Sequence, residues 1–344
     1  MIDLGIGDEE PGTKARLGAY SLVRPARTDD LVTVRALLVE TWHDTHDSIF
    51  GAARVTMVTD DRHSLTQLGH ETQREAHAFL VGVVEGNIEG TASVTLTESG
   101  TLTLDRLYVR PTCQRQGLGS ALLDACLAQF PQALRLRLEV KVDNVKGRAF
   151  YARQGFTETQ ARSNRGGVCN AIIYEKEVSA NRREGACLIV RPVRESDAQD
   201  LFGLMTLCFA DYPGCYVDPH NDLADLRAPA AAIAGRGGRF WVVEDAKGRV
   251  GACASIDLPS RRLAELHRVY VRPDLRRRGL AQMLVALAED EARARGASRM
   301  LFWSDTRFVA AHRLYQRLGY CATGEERSLG DISQSREYRF EKSL

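Results

Sequence analysis

Two short segments of this 344-residue chain combine glycine and arginine at a spacing suited to binding an anion. In the first, Gln114-Arg115-Gln116-Gly117-Leu118-Gly119-Ser120 follows the run Leu107-Tyr108-Val109 and Pro111. In the second, Arg276-Arg277-Arg278-Gly279-Leu280-Ala281 follows Val269-Tyr270-Val271 and Pro273. Proline has no N–H to donate, so it ends a strand. Beyond each glycine, apolar residues recur at helical spacing: Leu118, Ala121, Leu122, Ala125 and Cys126, then Leu280, Met283, Leu284, Leu287 and Ala288. Both segments are therefore predicted to be strand–turn–helix units, with Gly296 stopping the second helix. Free N–H groups at a helix start point at a ligand, and the helix dipole favours negative charge there. Glycine or alanine lets phosphate oxygens approach the backbone, and Arg115 or Arg276, Arg277 and Arg278 add charge. Rival phosphate motifs do not fit. In neither turn does a lysine precede a serine or threonine as in a P-loop, and the third glycine of a dinucleotide fingerprint is missing.

These turns must be positioned by larger units, and the chain repeats itself once. Leu22-Val-Arg-Pro-Ala-Arg-Thr-Asp29 returns as Ile189-Val-Arg-Pro-Val-Arg-Glu-Ser-Asp197, and Leu107-Tyr-Val-Arg-Pro111 as Val269-Tyr-Val-Arg-Pro273. Ala149-Phe-Tyr-Ala-Arg-Gln-Gly-Phe156 returns as Arg313-Leu-Tyr-Gln-Arg-Leu-Gly-Tyr320. The expected organisation is a loose tail over 1–20, one domain over 21–178, a polar linker over 179–187 and a second domain over 188–344. In each copy a short strand leads through Asp29 or Asp197 into helices. Alternating apolar runs follow at 79–84 and 91–96, matched by 240–244 and 250–256. A fourth strand is read at 134–142 and again at 299–303. Strands outnumber crossover helices, which predicts an α+β class: two domains, each a mixed, mostly antiparallel twisted sheet flanked by helices.

The turn resembles the Gln/Arg-x-x-Gly-x-Gly/Ala motif of the GNAT (GCN5-related N-acetyltransferase) superfamily, on Gln114, Gly117 and Gly119 and on Arg276, Gly279 and Ala281. That resemblance implies acetyl-coenzyme A as cofactor. Its pyrophosphate would lie on the turn, including Leu118, Ser120 and Leu280. Backbone groups near Leu107 and Val109, or Val269 and Val271, would hold its acetyl and pantetheine part. It also implies a tyrosine general acid on the helix after the fourth strand: Tyr151 with Asn144, or Tyr315, where Phe308 replaces the asparagine. Asn144 would be a cofactor contact. Glu265 and His267 share one strand face and resemble the family's strand carboxylate that deprotonates the amine. The aligned positions of the first copy are Thr103 and Asp105, of which only Asp105 can act as a base. The first copy thus keeps the better turn, the second the better acid–base set.

The acceptor is expected to meet the early helices. Trp42 and Asp44 are candidates in the first copy, and Tyr212, Tyr216, Asp218 and Asp305 in the second. His43 and His46 lack a third ligand, so no metal site is expected. The 46 basic and 45 acidic residues nearly cancel, which gives no global reason to bind nucleic acid or an anionic membrane. The N-terminus carries acids where a signal peptide needs a basic start, and no apolar run approaches a membrane span. Eight scattered cysteines without CxxC predict reduced thiols in a cytoplasmic protein. The expected activity is acetylation of a small-molecule primary amine (amino acid, antibiotic or polyamine-like) through a ternary complex. The alternatives are protein lysine or N-terminal acetylation, or a non-catalytic acyl-CoA-binding copy. The chain is expected to act as a monomer of two pseudo-symmetric domains or as a homodimer.

Overall fold

The computed structural model describes residues 21–163, 169–178, 187–218 and 224–344. The tail expected at 1–20, and all of the expected linker except Cys187, lie outside them. The first half runs β1 (Leu22–Pro25), α1 (Leu31–Phe50), α2 (Ala52–Arg62), α3 (Leu65–Thr72), β2 (His77–Val84), β3 (Asn87–Leu96), β4 (Thr101–Val109), α4 (Leu118–Gln129), β5 (Arg135–Lys141), α5 (Val145–Arg153), β6 (Thr157–Ser163) and β7 (Cys169–Glu177). The second half repeats much of this order as β8 (Leu188–Pro192), α6 (Ala198–Phe209), α7 (Pro229–Gly235), β9 (Arg239–Glu244), β10 (Val250–Ser260), β11 (Leu263–Val271), α8 (Leu280–Ala294), β12 (Arg299–Asp305), α9 (Val309–Arg317), β13 (Cys321–Ser328) and β14 (Arg336–Ser343).

All fourteen strands form one sheet, β13-β14-β12-β11-β10-β9-β8-β1-β2-β3-β4-β5-β7-β6. The halves join where β1 runs parallel to β8, pairing Leu22 with Leu188 and Val23 with Ile189. Strand order is mirrored outward from this seam while strand direction is kept. The two halves are therefore related by a half-turn along the strands, which puts equivalent helices on opposite faces. The core follows from that. Leu31, Val34, Leu37 and Leu38 of α1 share one apolar cluster with Leu280, Leu284 and Ala288 of α8. On the other face α4 packs over β1 to β4 and onto β8. Equivalent arginines cross the seam: Arg27 Nε donates to Asp290 (2.6 Å), and Arg194 Nη2 to the Ala128 carbonyl (3.0 Å).

The strand entering each half is anchored by a buried ion pair, Arg24 with Asp30 and Arg191 with Asp197. The counterpart of Asp197 is thus Asp30. Asp29, expected from the sequence, is exposed and touches only Arg27. The reason is register: the carboxylate must sit where it also caps the Arg27 backbone N–H, as Asp197 does for Arg194.

Candidate active site

Within each half two neighbouring parallel strands separate. β4 and β5 pair only from Thr101/Arg135 to Leu104/Leu138, and β11 and β12 only from Leu263/Arg299 to Glu265/Leu301. A bulge accompanies each split. Pairing slips at Asp105 in β4, and between His267 and Tyr270 in β11, where Arg268 adopts φ +56°. A bulge bends a strand and re-aims its side chains. Beyond it, each strand leaves a backbone edge that a ligand can line.

The turns then lead into α4 and α8. Gly117 (φ +89°) and Gly279 (φ +73°) are the left-handed N-caps. A Cβ on either would meet no atom within 4 Å, so open space faces both. The first N–H groups of a helix have no partner one turn back and face that space. Arg115 (φ +62°) and Arg277 (φ +63°) repeat the same left-handed strain two residues earlier, with exposed side chains. Strain kept at a non-glycine position in both copies points to use of the turn. These features fit a pyrophosphate.

Other motif residues shape the turn. Gln114 Nε2 donates to the Val109 carbonyl (3.1 Å) and Arg276 Nε to the Val271 carbonyl (3.0 Å). Those carbonyls are thereby engaged, and Arg276 is further held by Asp211 (2.5 Å). Gln116 and Arg278 likewise donate to carbonyls of the turn, those of Thr112 and Asp274. A Cβ on Gly119 would come within 3.3 Å of the Phe150 ring, so this glycine serves helix packing. Ala281 is tolerated where Leu314 replaces that phenylalanine. Ser120 accepts from Gln154 (2.9 Å), tying α4 to the segment after α5.

In the second half a cavity of about 390 Å³ is lined by Glu265, His267, Val269, Asp305, Phe308 and Tyr315, among others. Tyr315 is buried and packs on Phe302 (4.2 Å between centroids). Burial raises its pKa, so the phenol keeps its proton. Burial also pulls His267 below the usual imidazole range, against the opposing charges of Glu265 and Asp257, and the ring is neutral near pH 7. Asp257 pairs with Arg236 (3.1 Å), Asp305 with Arg307 (2.6 Å) and Glu337 with Arg327 (2.6 Å). Glu265 stands in the same wall half-buried.

The first half is built differently. Tyr151 packs edge-on against Phe150 and Phe156, and burial of its hydroxyl raises its pKa. Asn144 caps α5 by accepting from Gly147 N (2.8 Å); a Cβ on Gly147 would strike that side chain at 2.7 Å, which explains the glycine. Asp105 accepts from Thr95 (2.6 Å). Cross-strand pairing sets Thr95 and Thr103 where the second half has Asp257 and Glu265, and strand register sets Lys141 where the second half has Asp305. Trp42 faces Tyr108 (6.5 Å), whereas Asp44 is exposed. In the second half the Tyr212 ring lies tilted against Phe308 (4.6 Å between centroids), Tyr216 is largely exposed and Asp218 is buried. Among the described residues no three His, Cys, Asp or Glu are placed to hold a metal ion.

Sequence reasoning passed over Arg106 and Arg268, one in each bulge. Arg106 binds Glu71 of α3, and Arg268 Nη2 donates to Asp225 (2.6 Å). Their signal was the arginine repeated before each Leu/Val-Tyr-Val-Arg-Pro.

The model of the "Acetyltransferase (GNAT) family" matches twice, over residues 38–156 and 202–320. The chain belongs to the GNAT acetyltransferase family. It is an N-acetyltransferase with two GNAT domains, and acetyl-CoA is its cofactor. A mycothiol acetyltransferase of Salinispora arenicola (strain CNS-205) is 28% identical over 272 residues, 76% of this chain and 83% of that one. Human N-acetyltransferase 8 is 30% identical over 109 residues, 30% of this chain and 47% of that one. Among solved structures, PaiA N-acetyltransferase from Thermoplasma acidophilum in complex with coenzyme A matches at 22% identity and TM-score 0.42, over 46% of this chain and 99% of that one. No helix among the described residues is long and apolar enough to cross a membrane.

Proposed function

We propose that the second GNAT domain acetylates the primary amine of a small molecule by direct transfer in a ternary complex. The observation that carries this reading is one cavity lined by a strand carboxylate (Glu265), a neutral imidazole (His267) and a buried phenol (Tyr315). The cavity has the size of a small-molecule pocket. Five carboxylates (Asp225, Asp257, Glu265, Asp305 and Glu337) surround it against three lining guanidiniums (Arg236, Arg268 and Arg327) and Arg307 bound to Asp305, and the one acid in excess favours a cationic amine. The mycothiol acetyltransferase matched over most of both chains also supports a small-molecule acceptor.

Acetyl-CoA supplies the acetyl group as a thioester. Gly279, Leu280, Ala281 and Arg277, with the free edge of β11, are the residues that would hold it. Glu265, through water or through His267, takes the proton that the ammonium loses before attack, and the second proton, shed by nitrogen as the amide forms, replaces the one Tyr315 gives up. The Tyr315 hydroxyl holds the proton needed by the departing sulfur. Cys208, Cys215 and Cys253 of this half have thiols pushed up by burial. A neutral thiol is a poor nucleophile, which supports direct transfer over a covalent acyl-cysteine.

A second role is favoured for the first domain. With Thr103 in place of the base and Asp105 tied to Thr95, it is an acyl-CoA-binding copy without turnover of its own. A thiol-release screen tests the substrate class. Small primary amines are expected to release CoA, and tertiary amines are not. Lysine peptides outpacing every small amine would overturn the reading.

A further inference from the structure

The acceptor side of the first domain buries polar atoms that lack the partners their chemistry demands. His63, only 6% exposed, lies beyond α2 with its ring 5.5 Å from Trp42. His46, one turn after Trp42 on α1, packs 4.8 Å from the same indole. Arg106 reaches in from β4 with its side chain 9% exposed. His63 Nε2, His46 Nδ1 and Arg106 Nη1 make no hydrogen bond among the described residues. A buried unpartnered polar group costs about 1–3 kcal/mol. Three such groups, two imidazoles against one indole and a guanidinium whose charge reaches His63, therefore call for a ligand.

The second domain does not share this arrangement. There α6 stops at Phe209, the counterpart of Trp42, whereas α1 continues to Phe50 and so adds the turn bearing His46. Arg268, the counterpart of Arg106, is turned to Asp225 and Met205. The cluster is thus separate from the acetyl-transfer framework common to both domains.

The chemistry of the cluster selects its ligand. Arg106, Arg62 and Arg35 are the cations whose charge reaches His63, and Lys141 the one that reaches His46, each lowering the imidazole. Burial is the larger cause in both and keeps the rings neutral. Of the neighbouring carboxylates, Glu71 is engaged by Arg106 through Oε1 while its Oε2 lies 3.8 Å from His77 Nε2 without a hydrogen bond, and Asp105 is engaged by Thr95. What remains is a donor-rich wall with a guanidinium N–H facing a gap in its bonding. We propose that this cluster is a binding site for a small carboxylate, held by Arg106 Nη1 and the His63 and His46 rings beside Trp42. The first domain then reads a carboxylate, while the second modifies an amine.

Calorimetry on the full chain, saturated with coenzyme A so that both phosphate turns are filled, tests this with acetate, succinate and glutamate as probes. The Trp42 indole signal in a nitrogen-15 correlation spectrum, assigned with Trp42→Phe, reports the location. At least one carboxylate is expected to bind and shift that signal. Arg106→Gln is expected to weaken binding by about ten- to a hundredfold, the loss of one charged hydrogen bond. Because Arg106→Gln leaves Glu71 buried alone, the Arg106→Gln/Glu71→Gln double variant is run beside it and should lose binding equally. Absence of binding by all three carboxylates, tighter binding of inorganic phosphate, or unchanged affinity in the folded double variant would each overturn the proposal.

Discussion

Replacing Gly279 by alanine separates the stability of the cofactor turn from its function. Gly279 is at φ +73° and a Cβ there meets no atom within 4 Å, so no clash arises. The structural cost is the left-handed backbone alone, about 1–2 kcal/mol. For a chain of this size that lowers Tm by only about 1–3 °C. The methyl group, however, stands in the open space where a phosphate oxygen must approach the N–H groups of α8. Losing one charge-assisted hydrogen bond there costs about 1.5–3 kcal/mol, or roughly ten- to a hundredfold in affinity. Gly117→Ala at φ +89°, equally free of clashes, is the matched control for the first domain. Scanning calorimetry, CoA titration and thiol release are measured on both variants. Each is expected to lose one of two CoA sites at a similar small cost in Tm, and only Gly279→Ala should lose most of its turnover. Full CoA stoichiometry in both, or turnover lost through Gly117 and kept in Gly279→Ala, would refute the reasoning.

Three further outcomes are expected. His63 is held down to about 4 in the folded chain, chiefly by burial. The unfolded chain, at about 6.5, takes up the proton first as pH falls, so stability is lost between pH 6.5 and 4, by about 2 kcal/mol. His63→Leu should flatten that limb in urea melts at pH 7 and 4.5; an unchanged slope would reject the assignment. Arg191 is almost fully buried between Asp197 (2.7 Å) and Glu244 (2.5 Å). Arg191→Met should therefore cost about 3–5 kcal/mol, and Arg24→Met, which strips only Asp30, clearly less; equal losses would contradict the accounting. Gly119→Ala should destabilise by about 1 kcal/mol through Phe150 and be relieved in a Phe150→Leu background. Strict additivity of the two changes would show that the contact does not set the glycine.

The turns and the duplication were legible in the sequence because their signals are local: a glycine before a helical period, repeated with its flanks. What the sequence concealed depends on chain segments far apart. The β1–β8 seam rests on a pairing of two residues per strand, whose apolar types suit any buried strand. Arg106 and Arg268, passed over in the sequence, are turned inward by a bulge to Glu71 and Asp225. Gln114 and Arg276 read as phosphate contacts, but their donors find the strand carbonyls behind the turn first. Asp29 was preferred to Asp30 because neighbouring acids are indistinguishable until the arginine they cap is placed. That Thr103 stands in the first domain where the second has Glu265 was visible in the sequence, and the strand pairing places the two alike. The His63 cluster was not: it needs the length of α1, the end of α2 and β4 together.

The central claim is that Glu265 and Tyr315 serve as base and acid in one cleft, and amine-dependent thiol release by Glu265→Gln and Tyr315→Phe tests it most directly. Both variants should still bind CoA at two sites, and both should lose kcat by about a hundredfold or more, the usual contribution of a positioned proton donor or acceptor. In the wild type, kcat/KM should rise with pH to a plateau reached below the usual imidazole range, because burial keeps His267 neutral. A Tyr315→Phe or Glu265→Gln enzyme that keeps most of its kcat on an amine the wild type acetylates would contradict the account.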